Sequence, residues 1–207
     1  MLRIFRIDRV FRPGNGWRAA VALMGLAVLV CASCQTTEAW QKPVDDREAA
    51  ARLAALHGEG GAAVGGGGRE AVALAAAAAG FAREAPSRYR IAGPSWFHNV
   101  KVNLRVREAG LCWHQMEDLF LTLARLDPQW FDLHSGVRDQ GDWLREHHAV
   151  VVTAVGEPFE SGLVLDPWKS PGRLLVHRAR GDGRPWVENK RHRMELEAGR
   201  RLPWRGR

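Results

Sequence analysis

Residues 147–155 read His-His-Ala-Val-Val-Val-Thr-Ala-Val, and this stretch decides the fold class. Its β-branched side chains suit a pleated backbone, so it predicts a short strand with a buried face. Towards the C-terminus, Gly162 to Leu165 and Leu174 to His177 have the same short apolar character. Asp166-Pro167 and Ser170-Pro171-Gly172 punctuate them as turns. Towards the N-terminus the period changes. Trp96 to Glu108 sets Phe97, Val100 and Leu104 at helical packing intervals, with Gly110 placed to end the helix. A second helix is expected from Leu111 to about Leu126, burying Cys112, Met116, Leu119 and Leu123 before Asp127-Pro128 stops it. Helices first and strands after predict an α+β domain over residues 94–180, with N-terminal helices packed on a small antiparallel sheet.

Upstream of this domain, residues 1–33 read as an export segment. Arg3, Arg6, Arg9, Arg12 and Arg18 precede an apolar run from Ala19 to Cys31. That run is too short for a comfortable membrane span of about 20 residues, but it suits a signal peptide. It ends in Cys31-Ala32-Ser33-Cys34, which resembles a lipobox. Ala32 and Ser33 fit its small positions, while Cys31 stands where Leu or Val is usual. The resemblance implies lipidation at Cys34 of a bacterial lipoprotein, anchored to a membrane of the cell envelope and facing the periplasm or exterior. An uncleaved anchor or an ordinary signal peptide is the alternative.

Residues 34–93 read as a tether. Asp45 to His57 and Arg69 to Glu84 should be helical, and Gly58 to Gly68 should be a flexible linker with no core-forming side chains. The alanine-rich helix offers little bulk to pack.

The chain carries a formal net charge of +7. From Arg178 onward there are ten Lys and Arg against four Asp and Glu, so residues 181–207 read as a basic tail. It has no nucleic-acid fold signature. A solvated tail is preferred to a nucleic-acid surface, with attraction to anionic lipid as a third option. With only three cysteines a disulfide framework is excluded, and Cys112 stands alone in the domain.

Three segments carry possible chemistry. Gly110-Leu111-Cys112-Trp113 puts a thiol at a helix start, where unpaired amides and the helix dipole should lower its pKa from about 8.5. Glu146-His147-His148-Ala149-Val150 opens a strand with histidines. Leu163-Val164-Leu165-Asp166-Pro167-Trp168 ends another with a carboxylate. In order, they resemble the transglutaminase-like superfamily, which shares the papain-like cysteine protease core. The resemblance covers roughly Phe97 to Val176. It implies Cys112 as nucleophile, His147 or His148 as base, and Asp166 as the group fixing the imidazole.

The papain-like His-Ala-Val pattern points to His148. A family of bacterial lipoproteins that the chain is similar to reads Glu-His-Asn here and points to His147. Neighbouring strand residues face opposite ways, so only one can face the thiol.

Each residue also has a plain role open to it: Cys112 as a small core residue, the histidines capping a strand, Asp166 starting a turn. Cys112 and His114 with the two histidines could imitate a zinc set, but helical residues two apart do not share a face. Trp96, Trp113, Trp143 and Trp168 suit either a groove or packing. The expectation is an exported acyl transferase or amide hydrolase needing no cofactor. Its substrate would be a peptide, protein or cell-envelope amide, and nucleic acid is no partner. A silent domain that binds a partner is the competing class.

Overall fold

The computed structural model describes residues 42–57, 66–142, 145–180 and 184–201. The export segment with Cys31 and Cys34, the 58–65 stretch of the glycine-rich linker, and Trp143 lie outside the described residues.

The described chain is α+β, with five helices and a six-stranded antiparallel sheet. In chain order its elements are β1 (Pro43–Val44), α1 (Asp46–Ala54), α2 (Gly66–Arg88), α3 (Ser95–Asn103) and α4 (Cys112–Ala124). There follow β2 (Phe131–Arg138), β3 (His147–Ala154), β4 (Leu163–Asp166), β5 (Leu174–Arg178), β6 (Val187–Glu188) and α5 (Lys190–Glu197). The strand order is β1-β5-β4-β3-β2-β6. Among the described residues no helix is long and apolar enough to cross a membrane.

Alternation along the strands gives the sheet two buried faces. Leu133, Val150, Val152, Leu163, Leu165 and Val176 meet α1, α2 and α4 in the main core. Ala149, Val151 and Val164 meet Phe159, Ala179 and Trp186 on the other side. His147 and Asp166 fall on this second face by the same two-residue period.

The packed region reaches back to Pro43, well before the expected start near Pro94. β1 pairs with β5, and Asp45 caps α1 by accepting from the Glu48 amide at 2.8 Å. In α2, Ala71, Leu74, Ala75, Ala78, Ala82 and Ala85 form a fully buried stripe. Small side chains at helical spacing let backbones approach closely, so the alanine run that looked too slight to pack is core.

The end of the chain departs from the expected tail as well. β6 pairs with β2. Asn189 caps α5, and Leu196 and His192 are buried from it. His192 Nε2 meets Glu117 Oε1 of α4 at 2.8 Å and its Nδ1 meets Ser135 Oγ of β2 at 3.3 Å, all three residues being buried.

In α3 the buried face is Ser95, His98 and Val102, while Phe97 and Leu104 are exposed. This reverses the expected packing stripe. Ser95 Oγ donates to the Trp168 carbonyl at 2.5 Å and His98 Nε2 to the Ala109 carbonyl at 2.9 Å. Hydrogen-bonded polar groups are tolerated inside, and here they displace the apolar ones.

Candidate active site

Met116, Leu119 and Leu123 of α4 pack against the main face of the sheet, and Cys112 is buried at the head of the same stripe. That packing carries the first residue of the helix, Cys112, to the opening of β3. Gly110 makes the turn into α4 with φ +117°, and a Cβ there would lie 2.3 Å from His98 Nε2. Only glycine fits both the backbone angle and the neighbouring ring.

Asp166 uses its two oxygens for two purposes. Oδ1 accepts from the amides of Trp168 (2.9 Å) and Lys169 (3.1 Å), shaping the turn that ends β4. Oδ2 meets His147 Nε2 at 2.7 Å, with both side chains buried. The opposite ring nitrogen, Nδ1, is buried and has no hydrogen-bond partner among the described residues. Trp168 and Trp186 pack against the imidazole, with ring centroids at 5.1 and 5.6 Å. Trp186 lies close over Gly136, where a Cβ would come within 3.3 Å of its ring and 2.8 Å of Val151.

Cys112 is brought to the start of β3, where its sulfur bonds the main chain on either side of His147 and makes no hydrogen bond to the imidazole, which lies on the second face of the sheet. Its thiol donates to the Glu146 carbonyl at 3.9 Å and also meets the His148 amide, so the sulfur lies along the main chain flanking His147. His148 turns away from the Asp166 face. Its Nε2 meets Glu146 Oε1 at 3.0 Å, and its ring stands 6.4 Å from that of His192.

The electrostatics differ from the sequence expectation of a depressed thiol pKa. Burial pushes the Cys112 thiol up to about 12, and the Asp166 and Glu146 carboxylates push the same way, against the His148 and Trp113 amides. Burial also lowers His147, outweighing the attraction of Asp166. Asp166 is held well below the usual carboxylate range: burial alone would raise it, and the imidazole and turn amides prevail. Around neutral pH the arrangement is therefore a neutral thiol, a neutral imidazole and an ionised carboxylate.

His114 serves the helix start. Its Nδ1 accepts from the amides of Gly110 (3.3 Å) and Leu111 (3.2 Å), and burial lowers its pKa to about 4. Those two amides are thus engaged and not open to an oxyanion. Trp113 stacks on His114 at 3.8 Å, and Trp96 packs edge-on against Phe97 at 5.8 Å. Among the described residues no group of three or more His, Cys, Asp or Glu could hold a metal.

Sequence reasoning missed His98, Gly136 and Trp186. Gly136 is an isolated glycine in a strand and so a readable sign of close approach. Trp186 lay in a segment read as tail.

No family model, curated protein or solved structure matches this chain. Any functional reading therefore rests on the site itself.

Proposed function

We propose that the chain is an exported lipoprotein, anchored through Cys34, whose domain is transglutaminase-like and uses Cys112, His147 and Asp166 on peptide or cell-envelope amides. The observation that carries this reading is the 2.7 Å contact between His147 Nε2 and Asp166, which leaves Nδ1 buried and unpartnered, while the Cys112 thiol bonds the main chain one residue away at Glu146. A carboxylate at Nε2 fixes the tautomer that carries a lone pair on Nδ1, the state a general base requires.

With both partners neutral at rest, the thiol proton passes to Nδ1 as sulfur attacks the carbonyl, and Asp166 stabilises the imidazolium. The imidazolium then protonates the leaving amine, giving a thioester at Cys112 that water or an acceptor amine resolves. For this the thiol must leave the Glu146 carbonyl and turn towards His147 Nδ1 as substrate binds, since catalytic hydrogen bonds often form only in the bound complex.

The second reading is a silent envelope protein that binds a partner. It is favoured by the 7% exposure of Cys112 and by the thiol bond to main chain. Labelling of the native thiol by a small electrophile separates the two, because only the first reading makes labelling depend on His147. The anchor is tested separately: Cys34→Ser should abolish lipid labelling, and Cys31→Ser should leave it intact.

A further inference from the structure

The reversed face of α3 leaves an unusual surface. Phe97, Leu104 and Val106 are 42%, 69% and 62% exposed on one short helix and the turn that follows it. Scattered exposed apolar residues are ordinary, but three within ten positions form a patch. The charge around it is mostly basic: between Glu84 and Glu108 the sequence has Arg88, Arg90, Lys101, Arg105 and Arg107 and no acid, with Arg88 paired to Glu84 and Glu108 bordering the turn. Lys101 Nζ sits over the Phe97 ring at 4.3 Å. Lys101, Arg105 and Arg107 form no ion pair with any described residue.

The turn is built to present these groups. Arg105 adopts the left-handed conformation, φ +59°, at a helix end where glycine is the usual choice. The Val106 and Arg107 amides then both close back on the Lys101 carbonyl, at 2.8 and 3.2 Å. Beside them lies a cleft of about 270 Å³ lined by Val102, Arg105, Arg107 and Glu108. Arg107 Nε is shielded from solvent there and lacks a hydrogen-bond partner among the described residues.

We infer that this surface docks on an anionic phospholipid bilayer. Phe97, Leu104 and Val106 would enter the headgroup boundary, and Lys101, Arg105 and Arg107 would meet lipid phosphates. Apolar side chains ringed by cations are the composition that interfacial binding requires. α3 also touches the thiol site, through Ser95 on Trp168 and His98 against Gly110. Docking would hold the opening of α4 close to the membrane plane. The inference is independent of the thiol chemistry and survives if Cys112 proves inert.

Hydrogen exchange of the full chain tests it segment by segment, so binding through any other segment does not confuse the result. With vesicles of phosphatidylcholine containing phosphatidylglycerol, amides of residues 97–107 should exchange at least about tenfold more slowly than with phosphatidylcholine alone. Lys101→Glu, Arg105→Glu and Arg107→Glu together should remove that protection. Leu104→Ser alters only an exposed side chain and should reduce it, with β3 exchange unchanged as the folding control. The inference is overturned if residues 97–107 show no protection while the chain is vesicle-bound. It is also overturned if the charge-reversed chain is protected equally, or if soluble polyglutamate protects as well as the vesicles do.

Discussion

His147 is joined to Asp166 by one carboxylate oxygen while the other oxygen of the same carboxylate builds the turn into Trp168. One residue therefore serves both as turn former and as orienting group. Asp166→Asn should separate these roles. Its side-chain oxygen can still accept the Trp168 and Lys169 amides, so the turn and fold persist. Its amide, however, would donate towards Nε2 and force the proton to Nδ1, removing the base. Cys112 labelling should slow by on the order of 10²–10⁴-fold with the circular dichroism spectrum unchanged. Undiminished labelling would remove Asp166 from the site.

Stability should depend on pH in a direction the buried groups determine. His147 and His114 have lowered pKa values when folded, His114 at about 4, and ordinary values of about 6.5 when unfolded. The unfolded chain thus takes up protons first, and stability is lost as pH falls below about 6.5. The depressed Asp166 adds a further loss below its unfolded value of about 3.9. Cys112, raised to about 12, acts oppositely: its contribution is full below about 8.5 and falls as pH rises above that. Urea midpoints should therefore plateau between about pH 6.5 and 8.5. A midpoint that increases from pH 6.5 to pH 5 would contradict this.

Trp186 should hold the imidazole through its position over Gly136. Gly136→Ala puts a methyl 2.8 Å from Val151 and 3.3 Å from the indole. Overpacking of this kind costs about 1–3 kcal/mol, seen as a lower denaturation midpoint. Labelling of Cys112 should fall in Gly136→Ala and in Trp186→Ala. Trp186→Phe should restore much of it, because a ring remains against His147.

The alanine helix gives a direct test of where the core lies. Ala78→Leu adds bulk at a fully buried position and should cost about 1–3 kcal/mol. Ala76→Leu, on the exposed face of the same helix, should be within about 0.5 kcal/mol of neutral. Equal effects at both positions would mean that α2 does not pack as described.

What the sequence made legible follows from which residues advertise their position by hydrophobicity. The α4 stripe reads correctly because Met116, Leu119 and Leu123 are large, apolar and all buried. β3 reads correctly because its β-branched run has few alternatives. β2 was missed: both of its faces are covered, and His134, Ser135 and Arg138 are buried polar residues that break any apolar alternation. His134 is satisfied by Glu188 at 2.7 Å and Thr153 at 3.0 Å, partners far apart in sequence. α2 was undervalued because alanine signals burial only once its neighbours are known. The docking of α5 hangs on His192 and Leu196 within a charged segment, too few anchors for a periodic signal. At the site, the order of Cys112, His147 and Asp166 was readable. The burial that raises the thiol pKa was not, because desolvation depends on everything packed around it.

The most direct measurement is the pH profile of Cys112 alkylation by iodoacetamide in the native full chain, with the modified peptide identified by mass. A thiol at about 12 acting alone would be thiolate in on the order of one molecule in 10⁵ at pH 7, and its rate would climb tenfold per pH unit. Assisted by His147, it should instead react at least about a hundredfold faster than that fraction allows. The rate should level off once the imidazole is neutral, above a pKa that lies below 6.5, and His147→Ala should abolish the excess while His148→Ala leaves it. A rate that rises steadily towards pH 12 and is the same in His147→Ala, or labelling seen only in denaturant, would contradict the thiol site and leave Cys112 as core.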